Sequence, residues 1–433
     1  MKTSTSKRLR WNVAIWLAAG LFMTSTAGMA SGPILPNPKA EARHQPQVEE
    51  TANGISLVNI TAPSSGGVSR NEYETFNVPD KGAILNNSYT LSKTELAGYV
   101  QGNNNMAERP AKIIVNEVTG TGSTSMDGFL EVAGNRADVV IANPNGITVN
   151  GGGFINTGKA FLTTGKPVYD GEDHLQRFDI TGGDILIEGK GLGGKETGSL
   201  AILSRAVKIN AGIWAKDLHI TTGANTVDAK TLEASAIEGK GERPAFALDT
   251  AAIGGMYAGR ITLVGTEKGL GVNNSGTWSA EDNLTLDWNG DLKNSGTIYS
   301  KGNADLRASH LENDKTIAAE RNLSAAAKEN IRNQGKLLAG ENMDIYAGKT
   351  LDNAGHAMES GNNLSIETGD AINNTAGTIK SGGSQQIKAG HTLTNTEGTL
   401  AADGNINIQT GRMTGDGIVS AGKKAGILLE KDF

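Results

Sequence analysis

The chain has 433 residues, a formal net charge of −6 and no cysteine. These totals exclude a disulfide framework, Cys-based zinc sites and thiol catalysis, and they argue against a nucleic-acid binder, which would carry a basic stripe. With 58 glycines, 37 % hydrophobic and only 5 % aromatic residues, against a usual glycine share of ~7 %, the composition suits many short strands and turns better than large globular cores.

Residues 1–30 open with Lys2, Lys7, Arg8 and Arg10, followed by an apolar run over 13–23 and small residues ending Ala27-Gly28-Met29-Ala30. A positive start, a short apolar core and a small-residue site define a secretory signal peptide cut after Ala30. Residues 31–52 hold four of the ten prolines (Pro33, Pro36, Pro38, Pro46) with little apolar pattern. They read as an extended leader without a core.

From Gly54 the texture becomes strand, turn, strand. Short apolar segments such as Ile113-Ile114-Val115, Ile185-Leu186-Ile187 and Ile261-Thr262-Leu263-Val264 alternate with Gly, Asn, Asp or Ser. Such spacing predicts an all-β fold, sandwich or solenoid. Within it, Val139-Val140-Ile141 runs into Asn143-Pro144-Asn145-Gly146, and Ile147 and Val149 resume an alternating strand. Pro presets φ, Asn side chains bond the turn backbone and Gly accepts positive φ, so this stretch is a tight turn between strands.

After Trp288 the sequence is periodic. An apolar residue, any residue and then Asn recur six times, ending at Asn294, Asn313, Asn333, Asn353, Asn374 and Asn395, with steps of 19, 20, 20, 21 and 21. Each copy adds a second apolar site (Ile298, Ile317, Leu337, Ala357, Ile379, Leu400) and a third short strand. Residues 413–429 form a degenerate last copy. A fixed period near twenty means a solenoid, and three short strands per copy suit one coil of a β-helix. About twenty coils at ~4.8 Å each would give a rod on the order of 100 Å. The Asn column belongs at a corner, where Asn tolerates left-handed geometry and bonds its counterpart in the next coil.

Little points to chemistry. The six histidines are scattered, with no metal-binding pair. Gly189-Lys190-Gly191-Leu192-Gly193-Gly194 lacks the strand–helix setting of a dinucleotide loop, and Ala347-Gly348-Lys349-Thr350 fails the phosphate-loop spacing. The cluster Tyr169-Asp170-Gly171-Glu172-Asp173-His174 is an acidic loop, solvated or a weak cation site. Asn59, Asn283 and Asn363 stand in glycosylation-type sequons.

Blocks in a fixed order carry a family likeness. They include Asn71-Glu72-Tyr73-Glu74-Thr75-Phe76-Asn77-Val78, Ile84-Leu85-Asn86-Asn87-Ser88, Leu130-Glu131-Val132-Ala133-Gly134, the Asn143 turn, and Leu203-Ser204-Arg205-Ala206-Val207. Over about residues 53–276 the chain resembles the secretion domain of two-partner-secretion passengers, the filamentous-haemagglutinin and contact-dependent-inhibition group. The resemblance implies a right-handed parallel β-helix with short antiparallel extra strands near the N-terminus. It implies a secretion domain over 53–288 and a repeat rod over 289–433. It also implies recognition by an outer-membrane β-barrel transporter through two motifs, Asn86-Asn87-Ser88 and Asn143-Pro144-Asn145-Gly146. The places where some relatives carry a cysteine pair, 149–152, hold none.

The expected protein is a non-enzymatic surface adhesin of haemagglutinin kind, without cofactor or nucleic-acid partner. It would be secreted through the periplasm, with host or bacterial cell-surface receptors as further partners. Alternatives are a truncated inhibition effector lacking its toxin, or a β-helical polysaccharide-active enzyme. No toxin segment precedes Phe433, so a short passenger and a truncated frame both remain open.

Overall fold

The structure, a computed structural model, describes residues 34–430, so the proposed signal peptide lies outside the described residues. Three parallel strand columns wind around one continuous core. The first face stacks fifteen strands, from Ser56–Asn59 to Ile418–Ala421. The second face runs in parallel from Val68–Thr75 to Ala425–Leu429. The third starts at Val78, which bridges Met126, and continues through Ile147–Val149 to residues 412–414. Each coil runs first face, second face, third face. Counted this way, coil 2 spans 83–126, coil 3 spans 129–149 and coil 10 spans 316–333.

Fifteen coils, at ~4.8 Å per coil, make a rod on the order of 70 Å, shorter than the twenty-coil expectation. The difference lies in excursions that leave the coil at 88–112, 165–183 and 223–245.

The core is built by alternation. Leu292, Leu311, Ile331, Leu351, Ile372 and Leu393 stack inward on the third face, each no more than 1 % exposed. Ile298, Ile317 and Leu337 do the same on the first face, and there Met358 takes the inward place that the repeat pattern gave to Ala357. The longer copies insert one residue in the turn after the Asn, so the apolar site falls five positions on instead of four. That turn takes positive φ at Gly355, Ala376 and Glu397.

Near the N-terminus the second face is apolar on both sides. Val115, Val140, Phe161, Ala201 and Leu203 point outward and are covered by Phe178, Ile180 and Val227. These come from a four-stranded antiparallel layer made of Lys166–Tyr169, Leu175–Ile180, Asn225–Asp228 and Ala234–Ala236. Buried Arg205 ties down the third excursion: it pairs with Glu267 at 3.0 Å and donates to the Lys240 carbonyl at 2.6 Å.

The leader differs most from expectation. Ile34 is 2 % exposed and joins the main core. Leu35–Pro36 pairs antiparallel with Val68–Thr75, and Gln47–Glu50 with Ser56–Asn59. A Pro-rich segment can do this because each piece is a one-sided edge strand, where a missing N–H costs little. The result is a cap over the open edges of the first coil.

Candidate functional site

Asn143-Pro144-Asn145-Gly146 forms the corner between the second and third faces of coil 3. Gly146 takes φ +108° and its N–H donates to the Asn143 carbonyl at 3.1 Å, closing the turn. Asn143 is fully buried. Its Nδ2 donates to the Gly122 carbonyl and to Thr124 Oγ1, both at 3.0 Å, and its Oδ1 accepts from Asn145 N at 2.9 Å. Asn145 Nδ2 reaches the Gly120 carbonyl at 2.9 Å. The backbone N–H of Asn143 donates to the Thr163 carbonyl of the next coil at 2.9 Å. One corner thus staples three successive coils, and only Pro144 and Asn145 are exposed.

Asn86-Asn87-Ser88 sits at a different corner, where the first face of coil 2 leaves for the 88–112 excursion. All three residues are buried. Asn86 Nδ2 donates to Asn59 Oδ1 at 2.8 Å and to the Gln101 carbonyl at 2.9 Å. Asn87 exchanges bonds with the Ala111 backbone (2.9 and 2.7 Å) and donates to the Asn135 carbonyl at 2.9 Å. Ser88 Oγ donates to the Thr90 carbonyl at 2.8 Å. The two motifs are therefore not brought together. Each pins a departing or turning segment to its neighbours.

The repeat column is a hydrogen-bonded ladder. Nδ2 of Asn294, Asn313, Asn333, Asn353 and Asn374 donates to Oδ1 of the next Asn, ending on Asn395, at 2.7–2.9 Å. Asn274 adds a rung before Trp288. None of these residues has positive φ, contrary to the left-handed geometry expected of them.

Sequence reasoning missed a second ladder at the opposite corner. There Oδ1 of Asn283, Asn303, Asn322, Asn342 and Asn363 accepts the backbone N–H one coil on, at 2.8–3.2 Å. Its steps of 20, 19, 20 and 21 were the available signal. The sequon residues Asn283 and Asn363 belong to it.

Also missed was a charged cluster under the cap. Arg70 Nη2 lies 2.9 Å from Glu72 Oε1, and its Nε 3.4 Å from buried Glu117 Oε2. Its guanidinium sits 4.5 Å from the centre of the Tyr169 ring. His44, 4 % exposed, lies 3.2 Å from Glu72. Burial, with Arg70 adding to it, holds His44 below its ordinary 6.5. Burial pushes Glu117 above 4.5, against the pull of Arg70. The acidic loop belongs here: Asp173 pairs with Arg43 at 2.8 Å and Asp170 with His174 at 2.9 Å. Among the described residues no group of three His, Cys, Asp or Glu could hold a metal ion.

Of the remaining histidines, His219 is the most perturbed. Burial pushes it down to about 4, and it meets Thr221 Oγ1 at 2.8 Å. A depressed histidine stabilises the fold above its unfolded value of 6.5, and that contribution drains as pH falls toward about 4. His219→Gln should therefore flatten the loss of stability between pH 7 and pH 4.5 by on the order of 3 kcal/mol, read as the difference in urea unfolding free energy between the two proteins. Equal slopes would refute the assignment.

These features define a capped, three-faced β-solenoid with an antiparallel outer layer. The chain belongs to the two-partner-secretion (TPS) secretion domain family, whose profile matches residues 33–299, and haemagglutinin repeat matches follow over 299–409 and 381–428. It is 40 % identical over 297 residues to "Toxin CdiA" of Yersinia pestis, covering 63 % of this chain and 9 % of that protein. It is 39 % identical over 347 residues to "16S rRNA endonuclease CdiA" of Enterobacter cloacae subsp. cloacae, covering 75 % of this chain and 10 % of that protein. The chain thus spans about a tenth of these relatives. The crystal structure of the filamentous hemagglutinin secretion domain matches in fold, with TM-score 0.51 and 24 % identity, over 91 % of this chain and 100 % of that one.

Proposed function

We propose that this chain is an exported β-helical passenger. A partner β-barrel transporter in the outer membrane recognises its N-terminal domain and passes it to the cell surface, where it serves as an adhesin of haemagglutinin kind. The observation that carries this is the joint match of secretion domain and repeats over nearly the whole chain. Cell-surface receptors, host or bacterial, are its partners there, and export starts from a signal peptide at 1–30. A second reading, the N-terminal portion of a contact-dependent-inhibition effector, draws support from the CdiA names of its relatives. Neither reading gives this stretch an enzymatic role.

The two motifs act in export by shaping the first coils. The buried, hydrogen-bonded side chains of Asn86, Asn87 and Asn143 support this over a purely exposed address. With the cognate transporter co-expressed, Asn143→Ala combined with Asn145→Ala should abolish secretion. Pro144→Ala, which removes no side-chain hydrogen bond, should leave it near wild type. Undiminished secretion of the double variant would sink the role. Loss with Pro144→Ala alone would replace shaping by direct contact.

A further inference from the structure

The first face has two central columns of outward residues. In coils 6 to 10 one column reads Gly212, Gly255 and then threonines at 277, 297 and 316, and the turn glycines Gly151 and Gly191 lie ahead of it in coils 4 and 5. The other carries Phe129 in coil 3, glycine in coils 4 and 5, then Trp214, Tyr257, Ser279 and Tyr299. None of these positions is charged. The third face of the same coils differs: its outward column holds Lys208, Asp249, Lys293, Glu312 and Arg332.

The rings lie down on glycine. A Cβ at Gly212 would stand 2.5 Å from the Trp214 ring, and one at Gly191 3.0 Å from it. A Cβ at Gly255 would stand 2.9 Å from the Tyr257 ring, and one at Gly153 2.4 Å from Phe129. Any larger residue would lift each ring off the sheet. Phe129 and Tyr257 keep 43 % and 39 % exposure, and Trp214 and Tyr257 are nearly parallel, 17° apart with centroids at 6.1 Å. Each ring thus has one face against backbone and the other available to solvent.

We propose that this strip binds a neutral, extended polysaccharide laid along the rod axis. Flat, glycine-backed rings present π faces to the C–H faces of pyranose rings, a geometry that aromatic side chains favour. The coil rise of ~4.8 Å is close to the length of one sugar unit in an extended chain. The threonine column supplies hydroxyl donors and acceptors for sugar hydroxyls. The lack of charge selects against acidic polymers. A second protein copy fits less well, because glycine and threonine between the rings leave no continuous apolar patch. This proposal is independent of how the chain is exported.

The test titrates the purified mature chain with hexasaccharides of β-linked glucose and of N-acetylglucosamine, with a heparin hexasaccharide for comparison, by calorimetry and tryptophan fluorescence. At least one neutral oligosaccharide should bind and perturb the fluorescence. Trp214→Ala and Tyr257→Ala should each weaken binding about tenfold or more, with circular dichroism unchanged. Gly212→Ala should weaken it while keeping every ring. Tyr346→Ala, an aromatic 50 % exposed on the second face, should bind as wild type. The proposal is overturned by no neutral binding, by a preference for heparin, by equal loss in Tyr346→Ala, or by a concentration-dependent dimer that Trp214→Ala abolishes.

Discussion

Asn333→Ala is expected to cost about 3–4 kcal/mol and to split unfolding of the rod into two transitions. Asn333 is 1 % exposed and makes four bonds. Its Nδ2 donates to Asn353 Oδ1 at 2.7 Å and to the Ala357 carbonyl at 3.1 Å, and its Oδ1 accepts from Asn313 Nδ2 at 2.8 Å and Gly335 N at 3.3 Å. Alanine leaves Asn313 Nδ2, Asn353 Oδ1, the Gly335 N–H and the Ala357 carbonyl each short of a partner in a dry interior. A buried orphan costs ~1–3 kcal/mol, and Asn313 Nδ2 keeps the Lys336 carbonyl at 3.1 Å. Solenoid stability is a sum of coil terms and nearest-neighbour terms, so a weak joint between coils 10 and 11 lowers cooperativity. Urea unfolding followed by hydrogen exchange should show residues beyond 336 losing protection first. Asn322→Ala, on the outer ladder and partly exposed, should cost under ~1 kcal/mol. Equal costs at the two sites would refute the burial argument.

Arg70→Met should destabilise the N-terminal end by about 3 kcal/mol at pH 7, with a penalty that shrinks on acidification. Methionine fills similar volume but strands Glu117, whose carboxylate is buried beside Tyr169 and already raised by burial. Without Arg70 the carboxyl rises further. The unfolded chain then ionises near 4.5 while the folded chain keeps its proton, so stability falls as pH climbs between the two values. Below 4.5 both states are protonated and this pH-dependent part of the cost is absent. Adding Glu117→Gln to Arg70→Met should remove Glu117's share of the slope and leave only what Glu72 and His44, also beside Arg70, contribute. A pH-independent loss would mean that packing against Tyr169, not charge, is what Arg70 provides.

The coils were legible because repetition is local. An apolar residue two before each Asn, every 19–21 residues, leaves little choice but a solenoid. The inward place of Met358 was misjudged by one because a turn insertion keeps composition and shifts register. The cap was hidden because only isolated apolar residues, Ile34 and partly buried Val48, fix it among prolines and charges. The outer layer did have a signal. Ile113-Ile114-Val115 and Val139-Val140-Ile141 are continuous apolar runs, which indicate strands covered on both sides. The Arg70 cluster had none, since its members are drawn from residues 44, 70, 117 and 169 and meet only once coils have stacked.

The ion pair between Arg43 and Asp173 spans 130 residues of sequence. Loop closure over such a separation is slow compared with closing a neighbouring coil, which needs only about twenty residues. In a chain delivered N-terminus first, the cap stands next to coil 1 from the outset yet can be latched only after the outer layer has arrived. Until then the cap is held to coil 1 by its own strand pairings and by Ile34.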